Sequence, residues 1–110
     1  MTERRRTVLE GTRTRRIRNP NDSQIEAAVL NLARESAVVH SETTDDHTYI
    51  QVWQRLDGLY QLEHRAGSPA EHYQTMTVSA DKVHTAFIAW RNHDEHWTDP
   101  FTWKPIGHLL

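Results

Sequence analysis

Histidine is the residue type that most readily suggests chemistry in this chain, since eight of its 110 residues are histidines. The densest group is HDEH, in which Asp94 and Glu95 separate His93 from His96. On a helix, this spacing would place both imidazoles on one face, where they could chelate a divalent cation with help from a carboxylate. The spacing matches no strong zinc signature, and histidine near the end of a helix also suits the negative end of the dipole. We therefore predict no metal site.

Catalytic residues are not indicated either. Ser68 lies in GSP, which lacks the strand–turn–helix context of a nucleophile elbow. Adjacent carboxylates such as Asp45 and Asp46 are expected to be solvated, so they do not indicate general acid–base catalysis. The four glycines form no phosphate-binding loop motif. We predict a protein without enzymatic activity and without a cofactor.

Charge is distributed unevenly along the chain. Residues 1–18 contain seven arginines and two glutamates, a net charge of +5, whereas residues 19–110 have a net charge of −7. A basic segment can bind nucleic acid or an acidic partner, but it is also typical of a solvated terminus. The acidic body would repel nucleic acid. In a nucleic-acid interpretation, phosphates would be contacted by Arg4, Arg5, Arg6, Arg13, Arg15, Arg16 and Arg18.

Two amphipathic helices are predicted from the spacing of apolar residues. The first begins with a capping box formed by Ser23 and Glu26, and Ile25 opens a stripe that recurs at helical spacing. The second begins after Ser79, which is a favourable N-cap residue. Its apolar stripe consists of Val83, Ala86, Phe87 and Trp90.

Strands are predicted between the helices. β-Branched, aromatic and polar residues suggest strands at 36–42, 48–55, 59–65 and 72–78, and Asp57-Gly58 marks a hairpin. We predict an α+β fold for residues 19–110, a two-layer single domain. An antiparallel meander sheet of about four to five strands would carry both helices on one face. Residues 1–18 are expected to form a basic N-terminal arm that can include an edge strand, with residues 1–10 contributing little to folding.

Period-two alternation divides these strands into two faces. The face predicted to meet the helices carries Ile50, Val52, Leu62 and Met76. The other face would expose aromatic and polar residues, a mixture more typical of an interface than of a core. A competing interpretation is that the C-terminal segment covers the tryptophan of that face. We predict a protein-binding surface formed by Tyr49, Trp53, Glu63 and Tyr73, with Asp94 and Glu95 nearby.

The chain also lacks the features of membrane and secreted proteins. It has no apolar run of the roughly 20 residues that a membrane-spanning helix needs. No hydrophobic stretch follows the N-terminal MTERRR, and cysteine is absent. We therefore expect a cytoplasmic protein.

Several segments resemble one known group of proteins. They are NPNDSQIEAAVLNL at 19–32, YIQVW at 49–53, DGLYQLEHRAGSPAEHYQT at 57–75, VHTAFIAWRNHDEHW at 83–97 and FTWKPI at 101–106. Over about residues 17–106, the chain resembles small immunity proteins of bacterial polymorphic toxin systems, which are common in actinobacteria. The resemblance implies a non-enzymatic protein that neutralises a toxin of its own cell lineage by binding it. That family has no residue-level site motif that can be transferred to this sequence.

An acidic body is compatible with such a role, because a toxin domain with a basic surface would be attracted to it. Two alternatives stay open. The protein could be a small nucleic-acid-associated regulator that uses the arginine-rich arm. It could also be an adaptor or structural module with another protein partner.

Overall fold

Seven antiparallel strands form one sheet in the computed structural model, which describes residues 4–109. The strands are β1 (Thr7–Gly11), β2 (Ile17–Arg18), β3 (Ala37–Glu42), β4 (Asp45–Gln54), β5 (Tyr60–Ala66), β6 (His72–Thr77) and β7 (Lys104–Pro105), in the order β2-β1-β3-β4-β5-β6-β7. The helices are α1 (Asp22–Leu30) and α2 (Ala80–Arg91), and a 3₁₀ turn spans Gly107–Leu109. Among residues 4–109, neither helix is long and apolar enough to cross a membrane. The prediction of an α+β domain is confirmed, but the sheet has seven strands rather than four to five.

The N-terminal segment contributes β1 and the edge strand β2 to the sheet, whereas the sequence predicts that residues 1–10 contribute little to folding. β1 pairs with β2 on one side and with β3 on the other, and residues 7–9 are buried. Just before β1, the Arg5 amide donates to the carbonyl of Arg91 at the end of α2 (2.8 Å). The expectation rested on the small number of apolar residues in this segment. A count of apolar residues leaves out the two rows of backbone hydrogen bonds that join β1 to β2 and to β3.

Each helix begins at a side chain that caps its free backbone N–H groups. At α1, the Asn21 Oδ1 accepts from the Gln24 amide (2.8 Å) and the Gln24 Oε1 accepts from the Asn21 amide (2.9 Å). The predicted capping box of Ser23 and Glu26 is therefore wrong. Asparagine caps a helix as well as serine does, and the same spacing occurs two residues earlier. The predicted cap of α2 is confirmed, because the Ser79 Oγ accepts from the amide three residues further on (3.1 Å).

The core lies between the two helices and one face of the sheet, which we call the covered face. α1 contributes Ile25 and Val29, and α2 contributes the apolar stripe predicted for it. The C-terminal segment packs Trp97, Phe101 and Trp103 against the edge of this core. The sheet itself supplies the buried side chains Leu9, Val38, Ile50, Val52 and Leu62.

The register of β6 differs from the prediction. Leu62 lies opposite Thr75, and Gln61 lies opposite Met76. Thr75 is therefore on the covered face and buried, whereas Met76 is on the other face and 41% exposed. The prediction that Met76 faces the core is wrong, because a shift of one residue exchanges the faces of every side chain in a strand. The same shift places Tyr73 on the covered face.

A histidine lies inside the core. His40 is fully buried, stacks on the ring of Phe87, and has its Nε2 2.6 Å from the Thr7 hydroxyl. Burial, assisted by the positive charges of Arg91 and Arg5, lowers the pKa of His40 to about 3. The core is therefore built around a neutral imidazole.

Leu9→Ala is expected to lower the free energy of unfolding by about 2–5 kcal/mol, because it truncates a buried leucine in a packed core. The matched control is Glu10→Ala, an exposed neighbour on the same strand, which should change stability by less than about 0.5 kcal/mol. Urea denaturation measures both values. If Leu9→Ala lowered the free energy of unfolding no more than the control does, β1 would not be part of the core.

Acidification is expected to destabilise the fold. Burial lowers the pKa of His64 to about 4, as it lowers that of His40 to about 3. An unfolded chain protonates histidine near pH 6.5, so below that pH the unfolded state binds more protons than the folded state. The free energy of unfolding then decreases as pH falls, by at most about 1.4 kcal/mol per pH unit for each histidine.

Urea denaturation at several pH values between about 7.5 and about 5 measures this slope. His40→Leu should make the slope shallower, since one of the two imidazoles with a lowered pKa is removed. An unchanged slope in that variant would show that His40 is not a source of the pH dependence.

Candidate functional site

The sheet face opposite the helices, here called the open face, gathers polar and aromatic side chains. Neither helix packs on it, and strand alternation brings side chains of neighbouring strands into rows. From β4 through β5 to β6, the three central rows are Tyr49–Arg65–His72, Gln51–Glu63–Gln74 and Trp53–Gln61–Met76.

Glu63 lies at the centre of the open face, and both of its carboxylate oxygens accept hydrogen bonds. Oε1 accepts from the His72 Nε2 (2.7 Å). Oε2 accepts from the side-chain amides of Gln61 (2.6 Å) and Gln74 (3.2 Å). Burial by itself raises the pKa of this carboxyl, but hydrogen bonds to its charged form outweigh burial, so the pKa of Glu63 is lowered. Glu63 is thus an anion held in one orientation, and the residue is only 9% exposed.

His72 connects Glu63 to two further side chains. The Arg65 Nε donates to the His72 Nδ1 (3.1 Å), and the Tyr49 hydroxyl lies 3.5 Å from the same nitrogen. Because a guanidinium can only donate, Nδ1 is the acceptor and the ring proton is on Nε2, which donates to Glu63. The Arg65 guanidinium also lies over the Tyr49 ring, 5.5 Å from its centroid. His72 is 2% exposed, and both of its nitrogens are engaged, so in this state neither can act as a general base.

An exposed apolar pair lies beside this network. Trp53 is 40% exposed and Met76 is 41% exposed, and they flank Gln61 in their row. The Arg55 guanidinium lies 5.8 Å from the centroid of the Trp53 ring and donates to the Gln61 Oε1 (3.1 Å). The open face therefore combines accessible apolar area with an ordered polar network. Protein interfaces use both, since apolar area supplies affinity and polar groups set orientation.

Three of the six residues predicted to bind a protein come together on the open face. Tyr49, Trp53 and Glu63 lie in three adjacent rows of β4 and β5. The C-terminal segment does not cover Trp53, because Trp97 and Trp103 pack against His64 on the covered face.

The other three predicted residues lie elsewhere. Tyr73 stacks on His64 on the covered face, with ring centroids 4.9 Å apart. Asp94 and Glu95 follow α2 and are exposed on the helical layer. Asp94 lies beside Trp97 along a groove between α2 and the C-terminal segment. The predicted set is therefore divided between two sides of the molecule.

The network contains residues that sequence reasoning did not select. Gln61 and Arg65 lie two positions either side of Glu63, so strand alternation alone assigns them to its face. His72 and Gln74 depend on the register of β6. The signal in the sequence that could have found them is Glu63 itself. A glutamate buried in a sheet needs hydrogen-bond donors, and the next strand carries two, His72 and Gln74, at alternate positions.

The N-terminal arginines do not form one continuous surface. Arg5 forms an ion pair with Glu42 (2.6 Å) and lies over the ring of Trp90 (4.6 Å to the centroid). Arg15 is exposed. Arg6, Arg16 and Arg18 line one cavity, and Arg6 also lines a neighbouring cavity together with Arg4 and Arg5. Arg13 lines a third cavity beside α1.

The histidines after α2 do not meet a third ligand. Within the part of the chain that the structure describes, no three His, Asp or Glu side chains come together as a metal site requires. His93 has a left-handed backbone (φ 56°), and the His96 Nδ1 lies 3.0 Å from the Asp99 Oδ2.

No protein-family model, curated protein or solved structure matches this chain. Its function therefore has to be inferred from the chemistry and geometry of its own surfaces.

Glu63→Gln is expected to lower the free energy of unfolding by about 1–3 kcal/mol. The variant keeps the shape of the side chain, but it replaces an acceptor oxygen with a donor amide, so a shielded donor loses its partner. Glu10→Gln is the matched control, because Glu10 is exposed on the same face and in the same cross-strand row. Urea denaturation compares the two variants. Equal stability would show that solvent, and not the protein, satisfies the donors around Glu63.

Proposed function

We propose that this protein is a non-enzymatic binding module that docks a second protein on the open face of its sheet. The observation that carries the proposal is the ordered network around Glu63 beside the exposed Trp53, on a face that neither helix covers. The surface combines an accessible indole with a carboxylate of defined orientation, two groups that protein interfaces commonly use.

The ordering of the network supports a role in recognition. Fixing a long polar side chain costs up to about 2 kcal/mol of rotamer entropy, and a solvated sheet face does not need such ordering to fold. Arg65 and the glutamines around Glu63 are nevertheless held by hydrogen bonds. Side chains that are already ordered in the free protein lose less conformational entropy when a partner binds. Their ordering before binding therefore improves affinity.

Trp53 and Glu63 have different roles in this proposal. The Trp53 ring supplies apolar area that a partner pocket can bury. The fixed Glu63 carboxylate and its glutamines favour a partner with complementary donors and acceptors, and they disfavour one that leaves these groups unpaired. We expect the indole to contribute most of the affinity and the network to determine the orientation.

The partner that we propose is a toxin domain with a basic surface, which the protein would neutralise in the cytoplasm. The resemblance to immunity proteins supports this choice, and the net charge of −2 over the whole chain is compatible with it. The absence of cysteine is compatible with a reducing compartment. Because Asp94 and Glu95 lie on the helical layer, we expect them to accelerate encounter through the overall field, not to contact the partner.

Trp53→Ala is expected to weaken partner binding by roughly 2 kcal/mol or more, the scale of an interface hot spot, while the fold stays intact. The partner is obtained by affinity purification from the native host, purified, and titrated against each variant. Leu30→Ala is the matched control, because Leu30 on α1 is 39% exposed and Trp53 is 40% exposed. It should bind like the wild type.

Co-expression tests neutralisation separately. The captured protein should arrest growth of a heterologous host, and the wild type should restore growth where Trp53→Ala does not. Unchanged affinity in Trp53→Ala would reject the open face as the docking surface. A partner that is harmless to the host would reject the toxin assignment.

A further inference from the structure

A groove at the edge of the sheet gathers three arginines that the proposed docking surface does not use. Val8 on β1 pairs with Arg18 on β2, so both side chains point to the open face. Arg6 and Arg16 precede these residues by two positions and line the same cavity. The resulting cavity, here called the arginine groove, has a volume of about 370 Å³ and is lined by Arg6, Val8, Arg16, Arg18, Asn19 and Thr43.

Backbone hydrogen bonds hold both walls of the arginine groove. On one wall, the Asn19 amide donates to the Thr7 carbonyl (2.7 Å), and the Thr7 amide donates to the Asn19 Oδ1 (3.0 Å). Asn19 has a left-handed backbone (φ 47°), which asparagine tolerates better than most residues. On the other wall, the Thr43 amide donates to the Arg6 carbonyl (3.1 Å). These bonds hold the backbone on both sides of the groove, and the three arginines are exposed.

The arginine groove concentrates positive charge at one edge of the sheet. Its lining residues include no carboxylate, and within residues 4–109 none of Arg6, Arg16 and Arg18 forms an ion pair. Arg5, by contrast, is paired with Glu42. Like charges around one cavity repel each other, and a bound anion would relieve this repulsion.

We propose that the arginine groove binds the phosphate group of a small phosphorylated ligand. Guanidinium groups donate planar pairs of hydrogen bonds to phosphate oxygens, so converging arginines recognise phosphate better than they recognise a single carboxylate. The volume of about 370 Å³ accommodates a phosphate together with part of the molecule that carries it. A small ligand is favoured over a nucleic-acid strand because the three arginines line one cavity of about 370 Å³, whereas a strand needs a charged groove that continues over several nucleotides.

Calorimetric titration of the full chain with inorganic pyrophosphate tests the proposal. We expect saturable binding with one site per chain that weakens as salt concentration rises. The double variant Arg16→Ala/Arg18→Ala should bind at least about tenfold more weakly, since it loses two of the three charge-assisted contacts. The matched control is Arg13→Ala/Arg15→Ala, which removes the same charge from the same segment without altering the lining of the groove. It should change the affinity by less than about twofold.

Thermal unfolding provides a second readout that separates a lost site from a lost fold. Pyrophosphate should raise the Tm of the wild type and of the control, since a ligand that binds the folded state stabilises it. It should leave the Tm of Arg16→Ala/Arg18→Ala unchanged. Without ligand, that variant should melt at or above the Tm of the wild type, because charge repulsion is relieved.

Four results would overturn the proposal. The first is the absence of pyrophosphate binding at concentrations on the order of millimolar. The second is equal weakening in both double variants, which indicates general attraction to positive charge. Tighter binding of a single-stranded RNA of about twelve nucleotides than of pyrophosphate, lost in Arg16→Ala/Arg18→Ala, would identify a nucleic-acid surface instead. Equally tight binding of an oligoglutamate peptide would identify a site for acidic proteins.

Discussion

Ile50, Val52 and Leu62 lie side by side on β4 and β5, and Phe87 of α2 packs with them in the core. Burying side chains of this kind contributes about 1.5–3 kcal/mol each, which makes this contact a major source of stability. A chain of 110 residues with 36% hydrophobic residues has material for one such layer. Both helices pack on the covered face, so neither is left to cover the open face. The alternation that directs the apolar side chains inward therefore leaves the other face to polar and aromatic ones.

Strands from the N-terminal and C-terminal segments complete the sheet around this centre. β1 enters beside β3, while the short strands β2 and β7 form the two edges. Short edge strands that carry arginine or proline offer little for another sheet to pair with, and here they carry Arg18 and Pro105. The arginine groove lies at one of these edges. The same residues can thus protect the edge from strand pairing and present charge to a ligand.

Two histidines show how the two faces of the sheet use the same side chain differently. His40 is surrounded by core residues, and burial keeps its imidazole neutral by penalising charge. His72 is shielded on the open face by its neighbours, and the hydrogen bond from Arg65 requires a proton-free Nδ1. The first histidine supports packing. The second orients Glu63, which makes the open face an ordered surface although no helix covers it.

Elements whose signals are local can be predicted from the amino-acid sequence alone. The apolar stripe of α2 with its Ser79 cap follows from helical periodicity. The turn at Asp57 and Gly58 follows from the positive φ that glycine accepts, and here φ is 90°. Alternation along β4 and β5 placed Trp53 and Glu63 on the open face, because a period of two needs no knowledge of distant residues.

Features that depend on pairing between distant segments become visible only in the folded chain. β1 belongs to the sheet because β3, about thirty residues later in the chain, supplies its hydrogen-bond ladder. The face of each residue in β6 depends on how the turn after β5 closes, where Gly67 has a φ of 94° and the Ala66 amide donates to the Glu71 carbonyl (2.9 Å). That register brings His72 to Glu63 and directs Met76 away from the core. Hydrophobicity could not determine it, because a shift of one residue changes both faces of a strand while its composition stays the same.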